Sequence, residues 1–416
     1  MDKFVINSTK SLNGEVSIGG AKNAVLPLMT ACIINPGEYT LNNVPILRDT
    51  LTMAKLLEMV GAKVTIDQNK FIINTKKCNT PYAPYDLVKT MRASFYVLGP
   101  FMSRFDKAQV SLPGGCAWGP RPVDFHIKAL EKMGAKIELS GGYINASGKL
   151  KGTDIIFDKS SVGATGNIMM AAVKAEGVTK IQNSAKEPEI DCLMDFLNLM
   201  GADIHRNQDG SIIIKGVKTL KDNINFDVIP DRIEAGTFMI AVAMCKGKVK
   251  LINVNPDHLS IVTNKLLDSG ASINIKNNSL TIEMRDRPNS IDMSTAIYPG
   301  FPTDLQAQWM ALMTVAKGSC TITDTIYTDR FTHIAELERL GAKIHLDNNV
   351  AHINGVNELY GAQVMSTDIR ASASLVIAGL ASKTETEISR IYHIDRGYEE
   401  IEKKFSLIGG QIKRVN

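Results

Sequence analysis

The sequence predicts an α/β protein of two domains, built from six copies of one supersecondary unit. An apolar helical pattern runs into a glycine and then a short strand pattern six times, and the glycines lie 73, 67, 69, 71 and 68 residues apart by subtraction. A fixed period of this length is typical of a repeated structural unit. The glycines are Gly61, Gly134, Gly201, Gly270, Gly341 and Gly409.

The helix before each glycine is predicted to be amphipathic. Met53, Leu56, Leu57 and Val60 fall at i, i+3, i+4 and i+7, which places their side chains on one face of a helix. We expect the glycine to end this helix in the left-handed conformation. Each unit therefore contains one surface helix that turns sharply into a strand.

A second helix is predicted in every unit, and it is apolar on most sides, as buried helices are. The six stretches are residues 22–34, 92–102, 163–173, 234–245, 304–315 and 370–380. Their first residues are Lys22, Arg92, Gly163, Glu234, Asp304 and Arg370, spaced 70, 71, 71, 70 and 66 apart by subtraction. Helix N-termini favour anions, so lysine and arginine there break a local rule. Such violations are expected at functional positions.

The length of 416 residues exceeds what one hydrophobic core supports. Six units divide into three and three, with seams at Gly19-Gly20-Ala21 and at Val228-Ile229-Pro230-Asp231. The predicted domains are residues 22–228 and residues 1–21 joined to 229–416.

Composition excludes several classes of function. The chain has 44% hydrophobic and 22% charged residues, and its net charge of +4 is dispersed, which does not indicate nucleic-acid binding. We expect a cytoplasmic protein without membrane association, since the sequence has no signal-peptide pattern and no apolar run of spanning length. The six cysteines show no C-x-x-C spacing and the histidines no H-x-x-x-H spacing, so neither a metal nor a cofactor is predicted. The sequence indicates no obligate protein partner.

The segment Pro113-Gly114-Gly115-Cys116-Ala117-Trp118-Gly119-Pro120-Arg121-Pro122 is predicted to be a loop from its prolines and glycines. A thiol on a solvated segment near a guanidinium has a lowered pKa and is reactive. Cys116 is therefore a candidate catalytic residue. The alternative is an ordinary surface cysteine on a turn.

Arginines that border the predicted buried segments form a second group of candidates. Guanidinium groups bind carboxylate and phosphate bidentately, so several at one cleft indicate a polyanionic ligand. Alternatively, each arginine pairs with a neighbouring acid such as Asp368 or Asp395. The arginines are Arg92, Arg121, Arg330, Arg370 and Arg396.

Asp304 also has two interpretations. Aspartate at a helix start is most often a cap. The equivalent positions of other units are cationic, however, and a carboxylate among cations is what a general base for a hydroxyl nucleophile would look like.

Eight ordered motifs resemble the enolpyruvyl transferase family, and within it the enzymes that use UDP-N-acetylglucosamine. The motifs are Gly19-Gly20-Ala21-Lys22-Asn23-Ala24, Lys89-Thr90-Met91-Arg92-Ala93-Ser94, Pro113-Gly114-Gly115-Cys116, Arg121-Pro122-Val123-Asp124, Pro230-Asp231-Arg232-Ile233-Glu234, Phe301-Pro302-Thr303-Asp304, Asp368-Ile369-Arg370-Ala371-Ser372-Ala373-Ser374 and His393-Ile394-Asp395-Arg396-Gly397-Tyr398. The resemblance implies a two-domain inside-out α/β barrel, with buried parallel helices and the sheets outside. It also implies transfer of the enolpyruvyl group of phosphoenolpyruvate to the 3'-hydroxyl of UDP-N-acetylglucosamine with release of phosphate, the first committed step of peptidoglycan biosynthesis.

The resemblance further implies a role for each matching residue. Lys22 and Asn23 would hold phosphoenolpyruvate, Cys116 would be the general acid that also forms an adduct with it, and Arg121 would contact its phosphate. Arg92 would contact the sugar nucleotide, and Asp304 the attacking hydroxyl. The closing or carboxylate-binding arginines would be Arg330, Arg370 and Arg396, with Asp368 beside them. The uridine diphosphate site would comprise Arg121, Pro122, Val123, Asp124, Phe125, Ser161, Val162, Gly163 and Ile326.

Two alternatives remain open at this stage. A 3-phosphoshikimate 1-carboxyvinyltransferase shares the fold and phosphoenolpyruvate, although the Pro-Gly-Gly-Cys loop favours the nucleotide-sugar enzyme. A non-catalytic six-repeat clamp would instead have basic residues spread round one face and no reactive cysteine.

Overall fold

The computed structural model describes residues 2–112 and 123–416. The chain forms two compact units, which we call the central unit, residues 20–229, and the terminal unit, residues up to 19 together with 230–416. Each unit has its own hydrophobic core. The chain passes from one unit to the other at Gly19–Gly20 and at Ile229–Pro230.

The described strands of the central unit form three four-stranded sheets with one shared topology. The first two strands of each sheet are parallel, and the third and fourth are antiparallel to their neighbours. In sheet order the strands are Ile224–Asp227, Glu38–Asn42, Lys70–Asn74 and Lys63–Asp67; Tyr82–Ala83, Lys107–Ser111, Tyr143–Ser147 and Lys136–Ser140; Asp154–Ile156, Val178–Gln182, Ile212–Lys215 and Asp203–Arg206.

The described part of the terminal unit repeats this pattern in three further sheets. In sheet order the strands are Leu12–Ser17, Gly247–Ile252, Ser279–Met284 and Ser272–Lys276; Met293–Ser294, Ser319–Thr323, Val350–Asn354 and Lys343–Asp347; Gln363–Met365, Thr386–Ser389, Lys3–Ile6 and Ile412–Val415. The N-terminal strands therefore complete two sheets whose other strands come from the second half of the chain.

The predicted buried helices are present, with changes at their ends. They are Lys22–Ala31, Leu98–Phe105, Val162–Ala172, Arg232–Cys245, Gln306–Thr314 and Ile369–Ala381. Two of the predicted stretches begin as 3₁₀ helices, Arg92–Val97 and Thr303–Leu305, instead of continuous α-helix. Pro100 accounts for the first break, because it lacks the backbone N–H that an α-helix starting at Arg92 would need there.

The six amphipathic helices are also present, and all six glycines after them have positive φ values, from 94° to 104°. This left-handed conformation is easy only for glycine, so the predicted helix stop is confirmed. The helices are Arg48–Val60, Asp124–Lys132, Pro188–Leu199, Ser260–Asp268, His333–Arg339 and Ile401–Leu407. Shorter helices are Tyr85–Val88, Pro256–Leu259 and Ile391–Arg396. Among the residues that the structure describes, no helix has the length and apolar character needed to cross a bilayer.

Candidate functional site

Lys22 is the first residue of the buried helix Lys22–Ala31 in the central unit. Its ammonium lies 2.7 Å from Oδ2 of Asp49, and the side chains are only 11% and 4% exposed. Asp49 stands in the first turn of the following helix, Arg48–Val60, where a carboxylate is favoured by the helix dipole. The carboxylate therefore holds a cation at a helix start that would otherwise disfavour it.

A second group in the central unit surrounds the buried imidazole of His126. Asn167 Nδ2 lies 3.0 Å from the Phe95 carbonyl and 3.1 Å from His126 Nδ1. Because the amide nitrogen is a donor, Nδ1 accepts and the proton of the neutral ring lies on Nε2. Nε2 faces Gly163, and a Cβ built on that glycine would lie 3.5 Å from it.

Burial and, to a lesser extent, the charge of Arg92 lower the pKa of His126 to about 3. The imidazole is therefore neutral near pH 7, and it directs an N–H toward the start of helix Val162–Ala172. Ser161 caps this helix by accepting a hydrogen bond from the Ala164 backbone, at 3.3 Å. Phe125, which precedes His126, contacts Phe157 with 5.9 Å between ring centroids. The structure thus brings the predicted residues Arg92, Phe125 and Gly163 to one histidine.

In the terminal unit, Asp304 lies between two guanidinium groups. Its Oδ1 accepts from Arg330 Nη1 at 2.9 Å, and its Oδ2 accepts from Arg370 Nη2 at 2.7 Å. Burial would raise the pKa of this carboxyl group, but the charges and hydrogen bonds of Arg370 and Arg330 outweigh it and hold the pKa well below its usual value. Asp304 is therefore ionised at any pH near neutrality.

A buried carboxylate, Asp324, holds this cluster in place through hydrogen bonds. Its Oδ2 accepts from the Thr303 hydroxyl at 2.7 Å, and that hydroxyl in turn accepts from Arg330 Nη1 at 3.2 Å. Its Oδ1 accepts from the backbone N–H groups of Ile326, at 2.9 Å, and Tyr327, at 2.8 Å. One side chain thus fixes both the Arg330 side of the cluster and the loop that carries Ile326.

Comparison with known proteins identifies the family. The model of the family EPSP synthase (3-phosphoshikimate 1-carboxyvinyltransferase) matches residues 6–405. This chain belongs to that family of enolpyruvyl transferases. It is also 49% identical over its full length to proteins named UDP-N-acetylglucosamine 1-carboxyvinyltransferase from Chlorobaculum parvum, of which 98% is covered, and from Trichlorobacter lovleyi and Shewanella piezotolerans, of which 100% is covered.

Solved structures share the fold of this enolpyruvyl transferase. The enolpyruvyl transferase NikO from Streptomyces tendae superimposes with a TM-score of 0.91 at 21% identity, covering 100% of this chain and 99% of that one. An EPSP synthase from Acinetobacter baumannii superimposes with a TM-score of 0.78 at 19% identity, with 100% of both chains covered. The predicted family and transferase class are confirmed, and the non-catalytic clamp loses its support.

The structure rules out two of the purely structural roles that the sequence left open for these residues. Asp304 is not an N-cap: Pro302 precedes helix Thr303–Leu305, and both carboxylate oxygens of Asp304 bind arginines. The Arg370 guanidinium pairs with Asp304 at 2.7 Å, and the carboxylate of its neighbour Asp368 caps helix Ile369–Ala381 by accepting from the Arg370 backbone N–H at 2.8 Å.

Asp395, the other acid considered as a partner for a neighbouring arginine, binds Arg414 at 2.6 Å. Arg396 ends the 3₁₀ helix Ile391–Arg396. Val123 precedes helix Asp124–Lys132, and Val162 begins helix Val162–Ala172. Asn23 follows Lys22 in the first turn of its helix. The predicted residues Cys116, Arg121 and Pro122 lie outside the described residues.

Sequence reasoning missed four residues of this enolpyruvyl transferase: Asp49, His126, Asp324 and Tyr398 hold the predicted residues in place. For two of them, the one indication in the sequence is closeness to a predicted site segment. His126 directly follows the Arg121-to-Phe125 segment, and Tyr398 is the last residue of the His393-to-Tyr398 motif. Across residues 2–112 and 123–416, no cluster of His, Cys, Asp or Glu could hold a metal ion.

Proposed function

We propose that this protein transfers the enolpyruvyl group of phosphoenolpyruvate to the 3'-hydroxyl of UDP-N-acetylglucosamine and releases phosphate. The observation that carries the proposal is the 49% identity over the full length of the chain to three relatives with the corresponding name. The product would enter peptidoglycan biosynthesis. The same identity supports our proposal for the arrangement of the fold, an inside-out barrel in which three buried parallel helices are enclosed by sheets in each unit.

The proposed reaction is an addition followed by an elimination. The 3'-hydroxyl oxygen bonds to C2 of phosphoenolpyruvate while C3 takes a proton, which gives a tetrahedral ketal. Loss of a proton from C3 and of phosphate from C2 then restores the double bond. We assign the C3 proton to Cys116, and the contacts to phosphoenolpyruvate to Lys22, Asn23, Arg121 and Arg396.

The proposed role of Asp304 follows from its low pKa. A carboxylate between Arg330 and Arg370 is a weak base, so in the ground state it would orient the hydroxyl by accepting its hydrogen bond. The hydroxyl proton becomes strongly acidic only as its oxygen bonds to C2, and at that stage a weak base suffices. The low pKa also keeps Asp304 unprotonated until that stage.

The central unit supplies the proposed nucleotide contacts. The N–H of His126 and the backbone N–H groups at the start of helix Val162–Ala172 are donors suited to an anion. Arg92 adds positive charge, and Phe125 adds an aromatic face. We propose that the uridine diphosphate moiety binds at this group of residues.

The test is phosphate release with phosphoenolpyruvate and each of two acceptors, UDP-N-acetylglucosamine and shikimate 3-phosphate. We expect release only with the nucleotide sugar, together with a product heavier than it by one enolpyruvyl group in mass spectrometry. Release only with shikimate 3-phosphate would replace the proposal by the other branch of the family. Release with neither acceptor would refute both.

A further inference from the structure

Tyr398 connects the Asp304 cluster to the core of the terminal unit. Its side chain is only 2% exposed, and its hydroxyl contacts three side chains from three separate helices. Arg370 Nη1 lies 3.3 Å from the hydroxyl oxygen, Gln308 Nε2 3.1 Å and Thr237 Oγ1 2.8 Å.

The donor and acceptor roles around the Tyr398 hydroxyl follow from the groups that it contacts. Thr237 donates its own proton to the Ile233 carbonyl at 2.8 Å, so its oxygen accepts the proton of Tyr398. The Tyr398 oxygen then accepts from Arg370 and Gln308. Gln308 Nε2 also lies 3.0 Å from the backbone carbonyl of Asp304 and 3.1 Å from Thr237 Oγ1, so its two protons serve three acceptors. The carbonyl can only accept, which fixes the orientation of the amide.

We infer that Tyr398 is a positioning residue, which holds the Arg370 guanidinium so that only one of its two terminal nitrogens pairs with Asp304. The inference deepens the proposed function and rests on it for its kinetic consequence. The Arg370 side chain is 6% exposed, and its Nη1 and Nη2 are anchored by Tyr398 and Asp304 respectively.

Removal of the phenol oxygen changes this balance. Nη1 of Arg370 loses the Tyr398 acceptor, while the neighbouring Nη2 stays paired with the Asp304 carboxylate. The guanidinium is then expected to turn toward a fork-like pairing with both carboxylate oxygens, a geometry that arginine favours. The fork would occupy a further lone pair of the carboxylate, which the proposed function assigns to the substrate hydroxyl, and a misplacement of about 1 Å can cost on the order of 10²-fold in rate.

The experiment compares Tyr398→Phe with the matched control Tyr39→Phe. Tyr39 is also fully buried and donates one hydrogen bond, to the Asn35 carbonyl at 2.9 Å, but it lies in the core of the central unit. We expect Tyr398→Phe to lose more thermal stability than Tyr39→Phe, because it removes three hydrogen-bond contacts and the control removes one. Tyr398→Phe should lower kcat by about 10- to 100-fold with KM for UDP-N-acetylglucosamine within about threefold, whereas Tyr39→Phe should keep wild-type kcat. Equal kcat values in the two variants would overturn the inference.

Crystal structures of both variants give a second readout that does not depend on the reaction. The Arg370 guanidinium should pair with both oxygens of Asp304 in Tyr398→Phe and keep its wild-type position in Tyr39→Phe. An unmoved guanidinium in Tyr398→Phe would refute the inference, even if the wild-type protein failed to release phosphate and the proposed function had to be abandoned. Should Tyr398→Phe not fold, Thr237→Val serves instead: the phenol proton loses its acceptor and turns toward Arg370, which should displace the guanidinium in the same direction.

Discussion

Asp304 and Arg370 lie 66 residues apart in the chain and meet at 2.7 Å between Oδ2 and Nη2. Both belong to the starts of buried helices, one to Thr303–Leu305 and the other to Ile369–Ala381. An acidic and a basic side chain at equivalent positions of neighbouring repeats thus form one ion pair. Its buried charges make the pair sensitive to the loss of either partner.

The variant Asp304→Asn should lose both activity and stability. Asparagine leaves Arg370 and Arg330 without their shared counter-charge, and breaking a buried ion pair from one side costs about 3–5 kcal/mol. Turnover should fall by roughly 10² or more, because the acceptor of the hydroxyl proton is gone. Thermal melting and steady-state kinetics check both effects.

Asp191→Asn is the matched control for this substitution. Asp191 binds Arg206 at 2.7 Å, but its side chain is 46% exposed and the pair lies in the central unit. The free energy of unfolding should fall by about 1 kcal/mol or less, and turnover should stay at the wild-type level. If Asp304→Asn also turned over normally, Asp304 would have to be removed from the catalytic residues.

The stability that Asp304 provides should depend on pH in one direction. Its folded-state pKa is lowered, so its contribution is complete above the unfolded-state pKa of about 3.9 and is lost as pH falls through the lower folded-state value. The difference in unfolding free energy between wild type and Asp304→Asn should therefore be constant from about pH 5 to 8 and shrink below about pH 4. A difference that shrinks between pH 7 and 5 would contradict the lowered pKa.

The local elements of this fold could be predicted from the sequence, whereas the assembly of its sheets could not. The positive φ of Gly61 and its five equivalents follows from glycine chemistry at a helix end. The pairing of Ile224–Asp227 with Glu38–Asn42 joins segments far apart in the chain, and no local pattern specifies such a partner. The same holds for Lys3–Ile6, which pairs with Thr386–Ser389 and Ile412–Val415.

The candidate site divides in a similar way. Lys22, Arg92 and Arg370 were detectable because cations at helix starts break an electrostatic rule. Asp49 and Tyr398 carried no such signal: an acid in a first helical turn is ordinary, and a buried tyrosine is a common core residue. Their roles depend on which side chain they meet in the folded chain, and that is tertiary information.

Asp49→Asn should reduce turnover but change the affinity for phosphoenolpyruvate little. Two effects oppose each other in binding: the Lys22 ammonium loses the carboxylate that holds it at 2.7 Å, but the anionic substrate also loses a nearby negative charge. Turnover depends on placement alone, so kcat should fall by about 10-fold while KM for phosphoenolpyruvate stays within about threefold. Glu58→Gln, an exposed change on the same helix, is the control and should match wild type. An unchanged kcat in Asp49→Asn would show that Lys22 is held by other contacts.

The buried imidazole of His126 should make the protein less stable in mild acid. Burial and Arg92 lower its folded-state pKa to about 3, so below about pH 6.5 the unfolded chain binds a proton that the folded chain does not. This one group should cost about 1.4 kcal/mol per pH unit between roughly pH 6 and 4. Chemical denaturation of wild type and His126→Gln over this range measures the term, which the variant should lack. Parallel pH dependences in the two proteins would contradict a neutral His126.

Of the six cysteines of the chain, we expect Cys116 to be the one that an epoxide alkylates. Burial raises the pKa of Cys78 to about 11 and that of Cys192, Cys245 and Cys320 to about 12, and it also raises the pKa of Cys32. The thiolate is the reactive form, so at pH 7 these five thiols should resist an epoxide such as fosfomycin. We expect mass spectrometry to find a single adduct on Cys116, and Cys116→Ser to show no adduct and to lose about 10² to 10⁴ in rate, as expected for a missing general acid. Cys116→Asp should recover part of the turnover at lower pH, where its carboxyl group carries a proton. An adduct on any of the five buried cysteines, or a fully active Cys116→Ser, would count against Cys116 as the proton donor.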